Sequence, residues 1–191
     1  DKVSGDPPFI EDTSDLLGLD HPYNVSKLCG DNLATMYARF FNVPTTIIRN
    51  ANVYGEGDPH LERIVPRTVK RLVDGKNPVI RGDGTNLRDY VYVNDIVDGY
   101  ALAAEYGYEK DYNVFNFGAE CATSVGDIVK MIISLVRNDL FINFEHQLRG
   151  EIPNQHVNCD RVKEVLGWTP STSLQEGLEK TVKWYQNEFK N

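Results

Sequence analysis

The sequence lacks most of what would mark a membrane, secreted or nucleic-acid-binding protein. No apolar run approaches the roughly 20 residues that a helix needs to cross a bilayer, and the opening Asp1-Lys-Val-Ser-Gly-Asp-Pro-Pro8 has no signal-peptide pattern. Only three cysteines occur, Cys29, Cys121 and Cys159, with no Cys-x-x-Cys spacing, so neither a disulfide framework nor a zinc site is suggested and a reducing cytoplasm is the simplest setting. His21, His60, His146 and His156 are scattered without ligand spacing, and no metal is expected. Basic residues number 20 against 28 acidic, and the net charge of −8 leaves no cationic footprint for nucleic acid. A Gly-x-Ser-x-Gly elbow is absent, which removes the common hydrolase reading. Gly55-Glu-Gly57 and Gly82-Asp-Gly84 each begin a dinucleotide-binding pattern, but residues 60 and 87 are His and Leu, so both read as turns.

The residues that are present suit a soluble globular chain with one substantial core, since 191 residues with a 41% hydrophobic share can bury one. Residues 4–20 read as loop. Asp20 and Pro22 open a helix to about Phe41, with Leu33, Met36, Tyr37 and Phe40 at helical spacing. Val43–Arg49 reads as a buried strand, residues 50–59 as a turn-rich loop, and Leu61–Asp74 as a helix stopped by Gly75. A short strand near Val79-Ile80 and an alternating strand Arg88–Val93 come next, then a helix capped at Asn94 that reaches about Glu105. Tyr112–Gly118 and Leu140–Phe144 are further strands. Ser124 opens a helix by a capping box with Asp127, and Ile128, Met131, Ile132 and Leu135 form its core stripe. A helix capped by Asp160 ends at Gly167, and Ser173-Leu-Gln-Glu176 opens the last one. Trp168 and Trp184 read as packing residues. Helices alternating with short β-branched strands predict an α/β fold.

Tyr23 and Lys27 stand four apart, which puts both on one helix face about one turn from each other. A phenol is a poor base at neutral pH, but a neighbouring ammonium stabilises its phenolate, and such a pair can move a proton to or from a sugar hydroxyl. The spacing alone more often describes a surface pair. Its setting decides between them. His21-Pro-Tyr-Asn-Val-Ser-Lys27 is succeeded in order by Thr46-Ile-Ile-Arg-Asn-Ala-Asn-Val-Tyr-Gly55, Arg63-Ile-Val-Pro66 and Pro78-Val-Ile80. Gly82-Asp-Gly-Thr-Asn-Leu-Arg-Asp89, Tyr92-Val-Asn-Asp95 and Leu166-Gly-Trp-Thr-Pro170 complete the series. This ordered set, spanning nearly the whole chain, resembles the extended short-chain dehydrogenase/reductase family of NAD-dependent epimerases and dehydratases. It looks most like the dehydratases of CDP-glucose and related sugars, on Asp1-Lys2-Val3, Glu151-Ile-Pro-Asn-Gln155 and Cys159-Asp160.

The resemblance implies the C-terminal part of a Rossmann-type doubly wound parallel sheet plus a small α/β lobe for the nucleotide sugar. Residues 1–55 would end the NAD-binding lobe and carry the catalytic helix; residues 56–191 would form mainly the substrate lobe, with a strand near 112–118 returning to the Rossmann sheet. The glycine-rich NAD loop would lie upstream of a fragment that begins without Met. By resemblance Tyr23 takes the 4-hydroxyl proton as C4 gives hydride to NAD, and Lys27 holds the nicotinamide ribose with Asn50 nearby. Asp1 would protonate the departing 6-hydroxyl and Lys2 stand near C5, where the bland alternative is a solvated side chain. Asn52, Arg63, Ile80 and Arg88 would bind the nucleotide sugar, Arg88 on the diphosphate unless it pairs with Asp89 or Asp83 instead. Many relatives carry an arginine where this sequence has Pro153-Asn-Gln-His156. The expected activity is a 4,6-dehydratase, CDP-glucose favoured, in a cytoplasmic homodimer packed through the Tyr23 helix. The alternatives are a UDP-sugar 4-epimerase or UDP-glucuronate decarboxylase, and, in another class, a non-catalytic nucleotide-sugar-binding or dimerising module.

Overall fold

The computed structural model describes residues 2–3, 7–11, 16–17, 22–108, 112–146 and 152–189. A short antiparallel pair, β1 (Lys2–Val3) and β2 (Leu16–Leu17), precedes α1 (Pro22–Phe41). Next come β3 (Thr45–Asn50), β4 (Asn52–Tyr54), α2 (Ile64–Val73), β5 (Val79–Arg81) and β6 (Leu87–Tyr92). The chain continues through α3 (Val93–Tyr108), β7 (Tyr112–Phe117), β8 (Ala122–Ser124) and α4 (Val125–Val136). It closes with β9 (Asn143–Glu145), β10 (Asn154–Gln155), α5 (Asp160–Leu166) and α6 (Leu174–Glu188). None of the described helices is long and apolar enough to cross a membrane.

β3 and β7 pair in parallel from Thr45↔Tyr112 to Asn50↔Phe117. Parallel pairs need crossover connections, and helices cover their faces; here α1 and α3 both pack on this pair. That is why Asn113–Phe117 is buried at every position instead of alternating. Beside it, β6 pairs in parallel with β4 and β10 and in antiparallel with β8, while β5 pairs with β9. Two cores result. Leu72, Ile128, Ile132 and Leu178 are fully buried where α2, α4 and α6 meet, each contributing about 1.5–3 kcal/mol by burial. Phe115, Phe117, Val162 and Trp168 build the second, with the Trp168 ring 4.6 Å from Phe117 and its Nε1 donating to the Asp95 carbonyl at 2.9 Å. Trp168 is thus a packing residue, and Trp184 stacks edge-on against Tyr185 at 36% exposure.

Local signals hold at both capping boxes. The Ser124 hydroxyl accepts from the Asp127 N–H, and Ser173 from that of Glu176. Gly167 ends α5 in the left-handed region at φ 66°, and Gly57, Gly82 and Gly84 also have φ between 73° and 82°, as turn glycines require. Elsewhere the expectations need correction. β4 forms inside the stretch expected as a loop, because β6 supplies its partner, and α2 begins at Ile64 instead of Leu61. Asn94 lies inside α3, which starts at Val93, and the cap of α5 is Cys159, with Asp160 in its first turn. The 140–144 strand sits at Asn143–Glu145. Asp20 and His21, expected at the start of α1, lie outside the described residues. The apolar stripe of α1 faces outward, with Leu33 54%, Tyr37 47% and Phe40 81% exposed, and Ala38 is the buried residue of this helix.

Asp89 is the buried anchor between the two regions. Its carboxylate, 1% exposed, accepts the N–H groups of Ala119 at 2.9 Å and Glu120 at 3.1 Å, pinning the turn after β7 to β6. Burial raises its carboxyl above the usual aspartate range, and those backbone donors oppose the rise. A raised acid binds its proton more tightly when folded, so this contribution is complete below the ordinary aspartate range and is lost as pH rises through the shifted value. Urea unfolding of wild type and Asp89→Asn across that window is expected to show the wild-type minus variant stability falling with rising pH. A difference that climbs with pH would show the shift to run the other way.

Candidate active site

α1 is fastened to β3 by one partly buried ion pair. The Arg49 guanidinium donates to both Asp31 oxygens at 2.9 and 3.3 Å and to the Glu11 carbonyl at 3.2 Å. A second tie joins Thr35 and the Tyr112 hydroxyl at 3.0 Å. Paired charge-assisted bonds fix direction as well as distance, so the first turns of α1 are held over the carboxyl end of β3. There Lys27 Nζ lies 5.5 Å from the centroid of the Tyr23 ring, and the ring is 61% exposed. The four-residue spacing therefore does bring ammonium and aromatic ring together, on the exposed side of the helix.

A cleft of about 1400 Å³ opens beside this pair, lined by Tyr23, Lys27, Asn50, Asn52, Arg63 and Arg88. Asn50 ends β3 and Asn52 begins β4, so both stand near the carboxyl end of β3, the end of a parallel strand where open α/β sheets bind ligands. The Asn50 amide donates to the Tyr100 hydroxyl at 2.8 Å, and Tyr100 is stacked on Phe117. Arg88 lies on β6 with Nη1 donating to the Leu87 carbonyl at 2.7 Å. It forms no ion pair among the described residues. Asp89 is turned to the backbone donors after β7, and Asp83 accepts from the N–H and hydroxyl of Thr85 at 2.9 and 2.6 Å. Arg63 pairs with Asp58 at 3.0 Å while remaining 60% exposed, a surface contact worth about 1 kcal/mol at most.

Ile80 departs from expectation: its side chain is 1% exposed, in the middle strand position of the β5–β9 pair, and is not part of the cleft wall. The apolar middle of a strand is core, and it is the neighbouring Arg81 that lines the cleft. Asp1 lies outside the described residues, and of Lys2 only its backbone place in β1 is described. Two cleft residues escape a motif reading altogether, Arg67 and Arg81. The signal for Arg67 was its position four after Arg63, which places it one turn into α2 from the cap at Arg63. For Arg81 there was none beyond its place at the end of a strand.

The arrangement offers a phenol beside an ammonium at one end and guanidinium groups further along, of which Arg88 has no carboxylate partner among the described residues. That suits an anionic ligand with a hydroxyl-bearing group at one end. The chain resembles known proteins along its whole length. It is 32% identical over 189 residues to the UDP-glucose 4-epimerase of Mycolicibacterium smegmatis, covering 97% of this chain and 60% of that one. Among solved structures, the UDP-glucose 4-epimerase of Thermotoga maritima with UDP-glucose superposes with a TM-score of 0.81 at 33% identity, covering 87% of this chain and 54% of that one. The dTDP-glucose 4,6-dehydratase of Bacillus anthracis in complex with NAD gives 0.88 at 26% identity, covering 98% and 58%. The chain thus spans little more than half the length of these relatives. The sequence pattern of the NAD dependent epimerase/dehydratase family matches residues 1–118, and this chain belongs to that family.

Proposed function

We propose that this chain is the substrate-facing portion of an NAD-dependent enzyme that oxidises C4 of a nucleotide-diphosphate hexose. The observation that carries the reading is the shared cleft, with the Tyr23–Lys27 pair at one end and along its wall an Arg88 guanidinium that has no carboxylate partner among the described residues. Residues 1–55 would complete an NAD-binding lobe, and residues 56–191, apart from the strand near 112–118, the sugar-nucleotide lobe.

Tyr23, Lys27 and Asn50 fit one end of a nicotinamide nucleotide: they line the cleft at the carboxyl end of β3 and stay out of the core. The bound nicotinamide would supply the acceptor for the hydride that leaves C4. The Tyr23 oxygen, as phenolate, takes the proton of the sugar 4-hydroxyl and becomes a phenol while the C4 hydrogen would leave as hydride, so the alcohol becomes a ketone with both hydrogens placed. Lys27, beside the Tyr23 ring, donates to the ribose. Arg88 grips the diphosphate, with Asn52 and Arg63 beside it.

The fate of the 4-ketone depends on Asp1 and Lys2. In a 4,6-dehydratase Asp1 protonates the departing 6-hydroxyl and the group at Lys2 stands near C5, giving a 4-keto-6-deoxy sugar. The second reading, a 4-epimerase that returns hydride to the other face, is favoured by the 32% identity to the M. smegmatis UDP-glucose 4-epimerase. The M. smegmatis, T. maritima and B. anthracis relatives are UDP- and dTDP-sugar enzymes, which gives the CDP-glucose form of the proposal no support. In the full-length enzyme, Tyr23→Phe is expected to lower kcat by at least about 100-fold while nucleotide-sugar binding stays within a few-fold. Turnover by the variant at near wild-type rate would remove Tyr23 from the chemistry. Assayed with UDP-, dTDP-, CDP-hexoses and GDP-mannose, wild type separates the readings by product, 4-keto sugar or C4 epimer.

The outward stripe of α1 supports a homodimer packed through this helix, because burying Leu33, Tyr37 and Phe40 against a second copy removes apolar surface from water. Sedimentation is expected to show a dimer that Phe40→Asp converts to monomer. A wild-type monomer at the same concentration would contradict it.

A further inference from the structure

A short strap that precedes α1 is fastened to several parts of the cleft at once. Exposure alternates along residues 7–11, with Phe9 and Glu11 half-buried and Pro8 and Ile10 exposed. Phe9 and Ile10 line the cleft together with Tyr23, Lys27 and Arg88. Glu11 is held at both its side chain and its backbone. Its Oε1 accepts the backbone N–H of Asn116 on β7 at 2.8 Å, and its carbonyl accepts from Nη1 of Arg49 on β3 at 3.2 Å. The Phe117 carbonyl, next along β7, accepts from the Ala51 N–H, so alternation turns the Asn116 N–H toward the other edge of β7. Asn116 is 3% exposed, and the Glu11 carboxylate supplies the acceptor that this buried donor needs.

Phe9 ties the strap in a second direction. It bridges Val157 in parallel, donates its N–H to the His156 carbonyl at 3.1 Å, and accepts at its own carbonyl from the Asn158 N–H at 2.9 Å and the Asn116 amide at 3.0 Å. His156 follows directly on β10, where Gln155 stands opposite Arg88. Two series of contacts therefore meet within Phe9–Glu11. One runs from Glu11 through Arg49 and Asp31 to α1, which carries Tyr23 and Lys27. The other runs from Phe9 through residues 156–158 and β10 to Arg88. We infer that Glu11 is a positioning residue: by the reach of its side chain to Asn116 it sets the separation between the Tyr23–Lys27 pair and Arg88. That separation decides whether a nucleotide hexose held at its diphosphate presents its sugar to Tyr23. This role rests on the nucleotide-hexose reading and adds to it a residue outside the motifs. Length matters here and charge does not, because an amide oxygen in the same place accepts the same N–H.

The full-length enzyme tests it, assayed with a nucleotide hexose that wild type converts and titrated by calorimetry with the matching nucleoside diphosphate. Glu11→Asp, one methylene shorter and checked for folding by circular dichroism, is expected to lower kcat about tenfold or more, since a displacement of about 1 Å remote from the chemistry can cost about 100-fold. The nucleoside diphosphate, which engages only the Arg88 end, is expected to bind this variant within about twofold of wild type. Glu11→Gln, which keeps both length and acceptor, is expected to hold kcat within about threefold. Asn116→Ala keeps the N–H that Glu11 accepts but removes the amide bond to Phe9, and is expected to show the same split as Glu11→Asp, which covers the case of a Glu11→Asp chain that does not fold. Wild-type kcat in Glu11→Asp and Asn116→Ala, equal impairment of Glu11→Gln, or diphosphate binding lost in step with kcat would each overturn the positioning role and leave the nucleotide-hexose reading standing. Wild type that converts no nucleotide hexose would overturn both.

Discussion

Six parallel residue pairs between β3 and β7 hold the candidate site in place, since Tyr23, Lys27 and Asn50 line the cleft at the carboxyl end of β3. Helices α1 and α3 cover the pair, and β7 becomes buried at five successive positions. The Arg49–Asp31 pair then sets where α1 lies along β3. With α1 placed, Tyr23 and Lys27 overhang the strand end where Asn50 stands, and Tyr100 on α3 fixes the Asn50 amide from the other side. A shift of α1 along β3 would leave each of these residues intact and separate them.

Charge is distributed along the cleft in a way that the net value conceals. The chain is acidic overall, yet Arg63, Arg67, Arg81 and Arg88 all line one cavity. Nearby carboxylates that could have neutralised Arg88 are engaged elsewhere, Asp89 by backbone donors and Asp83 by Thr85. Among the described residues Arg88 is thus left without a carboxylate partner, a state in which a guanidinium can pair with an anion from outside the chain.

Local chemistry was legible in the sequence wherever one residue decides the outcome: the Ser124 and Ser173 caps, the Gly167 stop, the stripe of α4, and the approach of Lys27 to Tyr23. It was not legible where a distant partner decides. β4, β8 and β10 are two or three residues long and exist because β6 is there to pair with them. Periodicity predicted α1 correctly but says nothing of what covers its apolar face, and Phe40 stands 81% exposed. Motif matching named Ile80 as a contact, but alternation along β5 turns Ile80 into the core and leaves Arg81 on the cleft. Composition likewise could not show four arginines converging, because their convergence is a property of α2, β5 and β6 packed together.

The most direct test of the account is a structure of the full-length enzyme with a nucleotide hexose bound. The account predicts the sugar 4-hydroxyl about 2.6–3.2 Å from the Tyr23 hydroxyl and the diphosphate on Arg88. A nucleotide sugar seated with its hexose away from Tyr23, or outside this cleft, would contradict it.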